Sequence, residues 1–496
     1  MIAEGVNFTL LEIIDHSFHY EMENLCRVFF PNDEIKVVKG AQTCDGDRIT
    51  TALINDGGRV SVRASALLSG REYSQEIPAD GEDEKEQERL MAVALFRILT
   101  YATGYTPTWG ILTGVRPSKL MITLIKEYGR QGAYEYFTGK LLVSDSKTRL
   151  AMSVADAEER IINSSSPESF SLYIGIPFCP TRCSYCSFVS HSIETPGAKK
   201  LVPTYIDKLC EEIAHTGETA RDLGLRLESV YFGGGTPTSL PAEGIDKICS
   251  AVAGSFDVNA AREYTVEAGR PDTITADRLQ VLKKHGVSRI SINPQTFNDN
   301  VLVNIGRSHT AKQALDAYEL ARSMGFYNIN MDLIAGLPGD TVESFISSVD
   351  KAVELDPESI TVHSLALKRS SGLVTRGERV EDGSRMSRML EYNALKLGQS
   401  GYFPYYMYRQ SRSLGNMENV GWCRQGAECI YNVFMMEECH TVLACGAGSV
   451  TKLKAPYENK IERIFNFKYP YEYINRFQEL IDRKELISKF YGAYMI

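Results

Sequence analysis

Apolar and polar positions alternate between two kinds of stretch in the middle of the chain, from about residue 169 to residue 380. Short strand-like apolar runs recur there, at 172–178, 227–232, 263–268, 289–293, 328–334 and 359–365. Longer amphipathic stretches separate these runs, at 203–223, 242–254, 274–286, 311–325 and 341–355. Strands that alternate with amphipathic helices predict parallel βαβ units, here with six strands in an α/β fold.

Residues 1–168 show a different pattern, which predicts an N-terminal α+β domain. Strand-like runs at 7–14, 33–38 and 48–54 come first, and Asp56-Gly57-Gly58 predicts a hairpin turn after the third run. A charged stretch at 81–89 opens a helix that continues to about residue 103. More helix is expected at 117–138 and 145–164, and the serines before Pro167 predict a linker.

The last part of the chain, 381–496, is predicted to be a C-terminal α/β region. Its aromatic cluster at 402–409 is most simply core, although aromatic rings could also form a flat apolar wall for a macrocycle. A basic and acidic amphipathic stretch at about 468–490 predicts a packing helix. Cys423, Cys429, Cys439 and Cys445 could hold a metal cluster, but their irregular spacing favours plain thiols.

Composition narrows the class of protein. The chain has 496 residues, a net charge of −9 and 11 cysteines. The negative charge argues against a nucleic-acid footprint spread over the surface, and no apolar run is long enough to span a bilayer. Because the N-terminus lacks a secretory signal, we expect a cytoplasmic protein whose cysteines bind metal or react rather than form disulfides.

Three cysteines in one short run, Cys179, Cys183 and Cys186, have the spacing Cys-x-x-x-Cys-x-x-Cys. Thiolates suit iron–sulfur clusters or zinc, and a structural zinc site closes with four ligands. Three cysteines on a [4Fe–4S] cluster instead leave one iron open for a small molecule. The alternative is three buried thiols or half of a zinc site, but the motifs that follow favour the cluster.

Those motifs fall at the C-terminal ends of successive predicted strands, where barrel enzymes place their chemistry. Gly-Gly-Gly-Thr-Pro-Thr at 233–238 offers close backbone approach to a ligand. Three polar residues follow at later strand ends, and each could also be a simple capping residue: Glu267, Gln295 and Asp332.

The cysteine run, the glycine run and these polar residues together resemble radical S-adenosylmethionine (SAM) enzymes, whose fold is a partial (β/α)6 barrel. Together with Tyr173, Arg307 and Gly-Leu-Pro-Gly at 336–339, they resemble the oxygen-independent coproporphyrinogen III oxidase (dehydrogenase) family. The long N-terminal extension, Gly-Val-Arg-Pro at 114–117 and Tyr-Arg-Gln at 408–410 resemble its longer branch, known as HemZ.

The resemblance implies a [4Fe–4S] cluster held by the three cysteines and SAM, with two SAM molecules in the family. By motif matching, the cluster-bound SAM would contact Tyr173, Gly234 and Glu267. The second would contact Tyr185, Gly235, Thr236, Gln295, Arg307, Asp332 and Ala366, and Val450 matches a further SAM contact. The implied domains are 1–168, a radical SAM barrel at 169–380, and a substrate lid at 381–496.

The implied reaction uses a SAM-derived 5′-deoxyadenosyl radical to convert propionates of coproporphyrinogen III into vinyl groups. Oxidative decarboxylation at two propionates gives protoporphyrinogen IX in haem biosynthesis. We expect a porphyrinogen substrate and a reductant protein such as flavodoxin or ferredoxin as partners. Because the substrate carries four propionates, burying it requires local cations, and we predict that Arg409, Arg424, Lys368 or Arg369 supplies them.

Two departures from the best-studied branch of the family leave alternatives open. Phe188 stands where that branch has a further cysteine, and Gly175 stands where it has a histidine. Cys-x-Phe after the cluster is similar to haem chaperones on the same scaffold, which is the second reading. A radical SAM enzyme with another substrate is the third.

Overall fold

The computed structural model describes residues 8–41, 46–188, 190–366, 383–410 and 413–494. Its first unit is a five-stranded sheet with strand order β2-β1-β3-β4-β5. The elements are β1 Phe8–Ile14, α1 His19–Phe29, β2 Glu34–Lys39, β3 Arg48–Asp56, β4 Arg59–Leu68, β5 Arg71–Pro78 and α2 Glu84–Thr103. The predicted hairpin is present, since Asp56 pairs with Arg59 across the Gly57-Gly58 turn.

Two helices follow and lie against the central sheet rather than the first one. They are α3 Pro117–Glu135, extended by a π-helical turn at Tyr136–Lys140, and α4 Asp145–Ile162. Buried residues of both helices belong to the hydrophobic core of the barrel, whereas the core of the first unit ends at Leu99. Hydrophobic packing therefore divides the chain near residue 105, and the boundary at 168 stays a prediction.

The central sheet contains the six expected parallel strands, which confirms the predicted fold class. In chain order the elements are β6 Ser169–Ile176, β7 Phe178–Cys179, β8 His191–Ser192, α5 Pro196–Asp222, β9 Arg226–Gly234, α6 Ala242–Ser255, β10 Glu263–Gly269, α7 Ala276–Lys284, β11 Arg289–Gln295, α8 Asp299–Asn304, α9 Ala311–Ser323, β12 Ile329–Ala335, α10 Val342–Leu355 and β13 Ser359–Ser364. Each long strand is almost wholly buried, as expected when helices cover the outer face.

The C-terminal part extends this sheet at both edges. Its elements are α11 Gly383–Gln399, β14 Phe403–Arg409, β15 Glu418–Cys423, α12 Ile430–Glu437, β16 Thr441–Cys445, β17 Val450–Lys454, β18 Ile461–Phe465, α13 Pro470–Asn475 and α14 Phe477–Gly492. The sheet order in the described chain is β14-β15-β13-β12-β11-β10-β9-β6-β16-β17-β18. The predicted C-terminal packing helix is thus two consecutive helices. None of the described helices is both long and apolar enough to cross a membrane.

A buried polar cluster ties the helical segment to β15. Lys147 of α4 forms an ion pair with Glu418, and the two side chains are 4% and 3% exposed. The indole nitrogen of Trp109 donates to the other carboxylate oxygen of Glu418 at 2.7 Å. Breaking one member of such a buried pair leaves the other charge without compensation, which is costly.

We therefore expect Glu418→Ala to lower the free energy of unfolding of this unit by about 3–5 kcal/mol. Urea denaturation followed by tryptophan fluorescence measures this directly, because Trp109 bonds to Glu418 and Trp422 lies on the same strand. Asp156→Ala, which breaks the exposed pair with Arg130, is the matched control and should cost less than about 1 kcal/mol. If both variants lowered the free energy of unfolding equally, the buried pair would not stabilise this unit more than a surface pair does.

Candidate active site

A cavity of about 530 Å³ opens at the C-terminal ends of the parallel strands. All three motif cysteines line it, together with the predicted SAM residues other than Val450: Tyr173, Tyr185, Gly234, Gly235, Thr236, Glu267, Gln295, Arg307, Asp332 and Ala366. Residues that are far apart in the sequence meet here because parallel strands deliver their ends to one edge of the sheet. Their individual roles as SAM contacts stay predictions.

Hydrogen bonds to residues elsewhere in the chain hold the cysteine loop in place. The Ser184 amide donates to the Ile305 carbonyl at 3.0 Å, and Arg270 donates to the Thr181 hydroxyl at 2.6 Å. Arg270 is itself fixed by an ion pair with Asp272 at 2.8 Å. Burial raises the pKa of the Cys186 thiol to about 11, so its thiolate needs a positive partner such as the iron of a cluster.

Gly235 shows why the glycine run stands beside this loop. A Cβ atom there would lie 2.5 Å from the Phe178 carbonyl oxygen and 3.0 Å from Cys179 Sγ. The amides of Gly235 and Thr236 donate to the Ile176 and Phe178 carbonyls, each at 2.7 Å, which ties the ends of β9 and β6 together. Any side chain at Gly235 would therefore push the backbone away from the first cysteine.

Glu267 lies deep in the cavity. Its carboxylate accepts a hydrogen bond of 2.6 Å from the Tyr231 hydroxyl. Burial raises the pKa of Glu267 to about 7, against the lowering effect of that hydrogen bond. A cationic ligand at this carboxylate would therefore be bound by a group that is half protonated near neutral pH.

Two buried polar atoms in the same cavity have no hydrogen-bond partner. Gln295 has φ +68°, outside the usual range for a side-chain-bearing residue, and its buried Oε1 has no hydrogen bond. Arg307 donates to the Asn293 carbonyl and to the Tyr185 hydroxyl, yet its buried Nε is also without a partner. Unpaired buried polar atoms fit a polar ligand such as SAM, whose carboxylate, amino group and hydroxyls could satisfy them.

A second set of polar residues inside the barrel belongs to no sequence motif and was not predicted. They stand at alternate positions of β9, β11, β12 and β13, and all of them line the cavity: Tyr231, Ser291, Asn293, Asn330, Thr361 and His363. Side chains alternate between the two faces of a strand, so a polar residue at every second position of a buried strand was the available signal.

Aromatic side chains form part of the cavity wall. Tyr231 and Tyr431 stack with ring centroids 4.3 Å apart, and Tyr173 stacks 6.1 Å from Tyr431. Tyr406 and Tyr408 of β14 continue this surface, stacked at 6.3 Å. The predicted aromatic cluster therefore contributes in part to core, through Tyr405, and in part to the cavity wall.

Val450 lies outside the residues that line the cavity, at the start of β17, where it pairs with Phe465. The turn before it has a structural explanation. A Cβ atom at Gly446 would lie 2.3 Å from the Gly175 carbonyl oxygen, and the Tyr205 hydroxyl donates to that oxygen at 2.7 Å. A Cβ atom at Gly175 itself would meet its nearest neighbours, the Cys445 carbonyl oxygen and the Tyr173 ring, at 3.4 Å, which is ordinary van der Waals contact.

The predicted cation clamp is wrong for Arg409 and Arg424. Arg409 is 2% exposed, donates to the Gly114 carbonyl and lies over the Trp109 ring, on the side of β14 away from the cavity. Arg424 pairs with Asp356 at the N-terminal end of β13. Lys368 and Arg369 lie outside the described residues.

The C-terminal cysteines do not form one group, because Cys445 lies in a different hydrophobic cluster from Cys423, Cys429 and Cys439. Their assignment as plain thiols stays a prediction.

Comparison with known proteins places the chain. The model of the radical SAM superfamily matches residues 173–352. The protein of Bacillus subtilis (strain 168) named oxygen-independent coproporphyrinogen-III oxidase-like protein HemZ is 36% identical over 483 residues, which are 95% of this chain and 96% of that protein. The chain belongs to the HemZ-like branch of the radical SAM coproporphyrinogen III oxidase family.

A haem chaperone and a solved enzyme structure are also similar to this chain. The haem chaperone HemW of Haemophilus influenzae is 30% identical over 308 residues, covering 61% of this chain and 75% of that protein. The structure of coproporphyrinogen III oxidase (HemN) from Escherichia coli, described as a radical SAM enzyme, has a TM-score of 0.52 at 25% identity, over 66% of this chain and 72% of that one. The predicted family is confirmed, and it implies a [4Fe–4S] cluster and SAM as cofactors.

The cysteine assignment leads to a first test at this site. Protein reconstituted anaerobically with iron and sulfide should hold about four iron atoms, and Cys183→Ala should lose them. Cys210→Ala, which removes a half-buried thiol on α5, should keep the iron content and the cluster absorption. A full cluster in the Cys183 variant, or zinc in place of iron, would contradict the assignment.

The pKa of Glu267 leads to a second test. Because the carboxylate form should hold the cationic ligand, SAM affinity should rise about tenfold per pH unit up to pH 7 and level off above it. Glu267→Gln should bind SAM weakly and without this pH dependence in equilibrium binding to the reconstituted protein. The exposed Glu343→Gln is the control. An unchanged pH profile in the Glu267 variant would assign the titration to another group.

Proposed function

We propose that the protein is an oxygen-independent coproporphyrinogen III dehydrogenase that converts two propionates into vinyl groups. The single observation that carries this proposal is the similarity to the HemZ protein, which extends over 95% of the chain and includes the N-terminal domain. The E. coli HemN structure, with its comparable barrel, supports the same reaction class.

The residues divide the work by location. Cys179, Cys183 and Cys186 would hold the cluster, and the polar strand ends from Glu267 to Asp332 would hold SAM. When bound beside a reduced cluster, SAM would supply the 5′-deoxyadenosyl radical needed to activate the propionate β-carbon, while loss of carbon dioxide would need an acceptor for one electron. The chain's own task is to orient the propionate and to exclude water, because a free radical reacts with whatever it meets.

The tyrosine wall suits a macrocyclic substrate. Tyr231, Tyr431, Tyr406 and Tyr408 present large rigid rings to the cavity. Flat aromatic surface of this kind packs against an apolar ring system, while the phenolic hydroxyls remain able to bond polar substituents. Two bound SAM molecules and a reductant protein such as flavodoxin or ferredoxin are further parts of the proposal.

A haem chaperone is the second candidate, and one residue favours it. Phe188 follows the third cysteine with one residue between, is 65% exposed and lines the mouth of the cavity. The HemW chaperone of H. influenzae is similar over 61% of the chain. An exposed aromatic side chain beside the cavity could support a bound haem.

The two candidates are separated by one experiment. Reconstituted protein is incubated anaerobically with coproporphyrinogen III, SAM and a chemical reductant, and the products are analysed by chromatography and mass spectrometry. We expect vinyl products, release of carbon dioxide and formation of 5′-deoxyadenosine, and Cys183→Ala should abolish all three. Tight haem binding without any vinyl product would favour the chaperone.

A further inference from the structure

The described cavity lining leaves substrate carboxylates without an obvious cation. Its arginines are Arg270 and Arg307, and both already bind protein groups, although Arg307 Nε has no partner. Arg270 pairs with Asp272 and holds the cysteine loop through Thr181. Arg307 donates to the Asn293 carbonyl and to the hydroxyl of Tyr185, which lies between Cys183 and Cys186 in the sequence. Among the described residues, a carboxylate near the tyrosines of β14 therefore depends on donors other than arginine.

His363 of β13 is the first such donor. Its Nε2 lies 3.7 Å from Asp332 Oδ2, which is beyond a normal hydrogen bond, and its side chain is 27% exposed, in the cavity. Asp332 is already held by Asn330, whose Nδ2 donates to its Oδ1 at 2.7 Å. An imidazole carries at least one N–H in either charge state, so His363 can donate to an anion that comes close to Asp332.

Tyr408 of β14 is the second donor. Gln410 Nε2 donates to the Tyr408 hydroxyl at 3.4 Å, so the phenol oxygen acts as an acceptor and its own proton is left for a ligand. Tyr408 lines the same cavity as His363, next to Tyr406. A phenol is a good partner for a carboxylate, because a hydrogen bond to a charged acceptor is stronger than one between neutral groups.

The strand register places these two donors at one level. Val362 pairs with Val420 of β15, and Met407 pairs with the same Val420, so β13 and β14 run parallel on either side of β15. His363 and Tyr408 are the next residues on the two strands, and two strand spacings separate their backbones by about 10 Å. Both side chains reach inward from this distance towards one region of the cavity.

We propose that His363 and Tyr408 form a subsite for a propionate carboxylate of the tetrapyrrole, an inference that rests on the proposed tetrapyrrole ligand. The subsite lies on the face of β14 opposite to Arg409. It orients the macrocycle through a carboxylate, and it serves a dehydrogenase or a haem chaperone alike. His363 and Tyr408 are thus specificity-determining residues.

The test compares one ligand with and without its charges. Coproporphyrin III, the stable oxidised form, and its tetramethyl ester are titrated into reconstituted protein, and binding is followed by porphyrin fluorescence. We expect wild type to prefer the free acid. His363→Phe and Tyr408→Phe should each weaken the free acid about tenfold and leave the ester unchanged. His363→Gln, which keeps an N–H donor, should restore part of the difference.

Matched controls remove the same groups elsewhere. His285→Gln removes a partly buried imidazole that bonds to Asp246, and Tyr402→Phe removes a hydroxyl that bonds to the Pro357 carbonyl, both outside the cavity lining. Neither should change the preference for the free acid. Equal loss of acid and ester binding in the two cavity variants would mean a structural role and would overturn the subsite.

The outcome is independent of the dehydrogenase test. If wild type does not distinguish acid from ester, the subsite is absent, whatever the enzyme produces. If the preference depends on His363 and Tyr408 but no vinyl product forms, the subsite stands and the proposed dehydrogenase activity fails. Binding and product analysis therefore separate the two proposals.

Discussion

The interior of this barrel carries polar side chains at positions where a buried parallel sheet ordinarily holds aliphatic ones, and each of these must find a partner. Arg289 at the N-terminal end of β11 donates to Ser359, which donates to Asn330, which in turn donates to Asp332. A continuous hydrogen-bonded column therefore runs up the inside of the barrel to the cavity. Each buried polar group without such a partner would lower the stability of the fold by about 1–3 kcal/mol.

This column fixes the donors and acceptors that face the ligand. Asn330 sits at its centre, receiving hydrogen bonds from Ser359 and Thr361 and giving them to Ser291 and Asp332. Because neighbours hold Asp332 on one oxygen, its other oxygen keeps a defined direction towards the cavity. The unpaired Gln295 and Arg307 atoms stand beside this ordered framework, which is the pattern expected of a preorganised binding site.

The strands and the contiguous motifs could be predicted from the sequence alone. The six strands match their predicted places within a few residues, because apolar runs, glycines and amphipathic stretches are local signals. The cluster loop is contiguous, so its three cysteines could not be missed. His363 and Asn330 were missed, since they belong to no short motif and only the alternation along a buried strand marks them.

The prediction of an arginine clamp was wrong because side chains alternate between the two faces of a strand. Tyr408 and Arg409 are adjacent in sequence, but neighbouring strand residues point to opposite faces, and only the register decides which face meets the cavity. Arg409 instead bonds to Gly114 and packs on Trp109, so Tyr-Arg-Gln at 408–410 and Gly-Val-Arg-Pro at 114–117 meet each other. Two motifs almost 300 residues apart were recognisable separately, but their contact required the fold.

Charge finally limits how the cavity can be shared between its ligands. Glu267 and Asp332 line the cavity with two carboxyl groups, which favour a cationic ligand and disfavour an unpaired anion. A carboxylate at the proposed His363 and Tyr408 subsite would lie close to Asp332, because His363 Nε2 is 3.7 Å from Asp332 Oδ2. The proposed subsite therefore depends on its N–H and O–H donors, and on a cationic ligand at Asp332, to offset this repulsion.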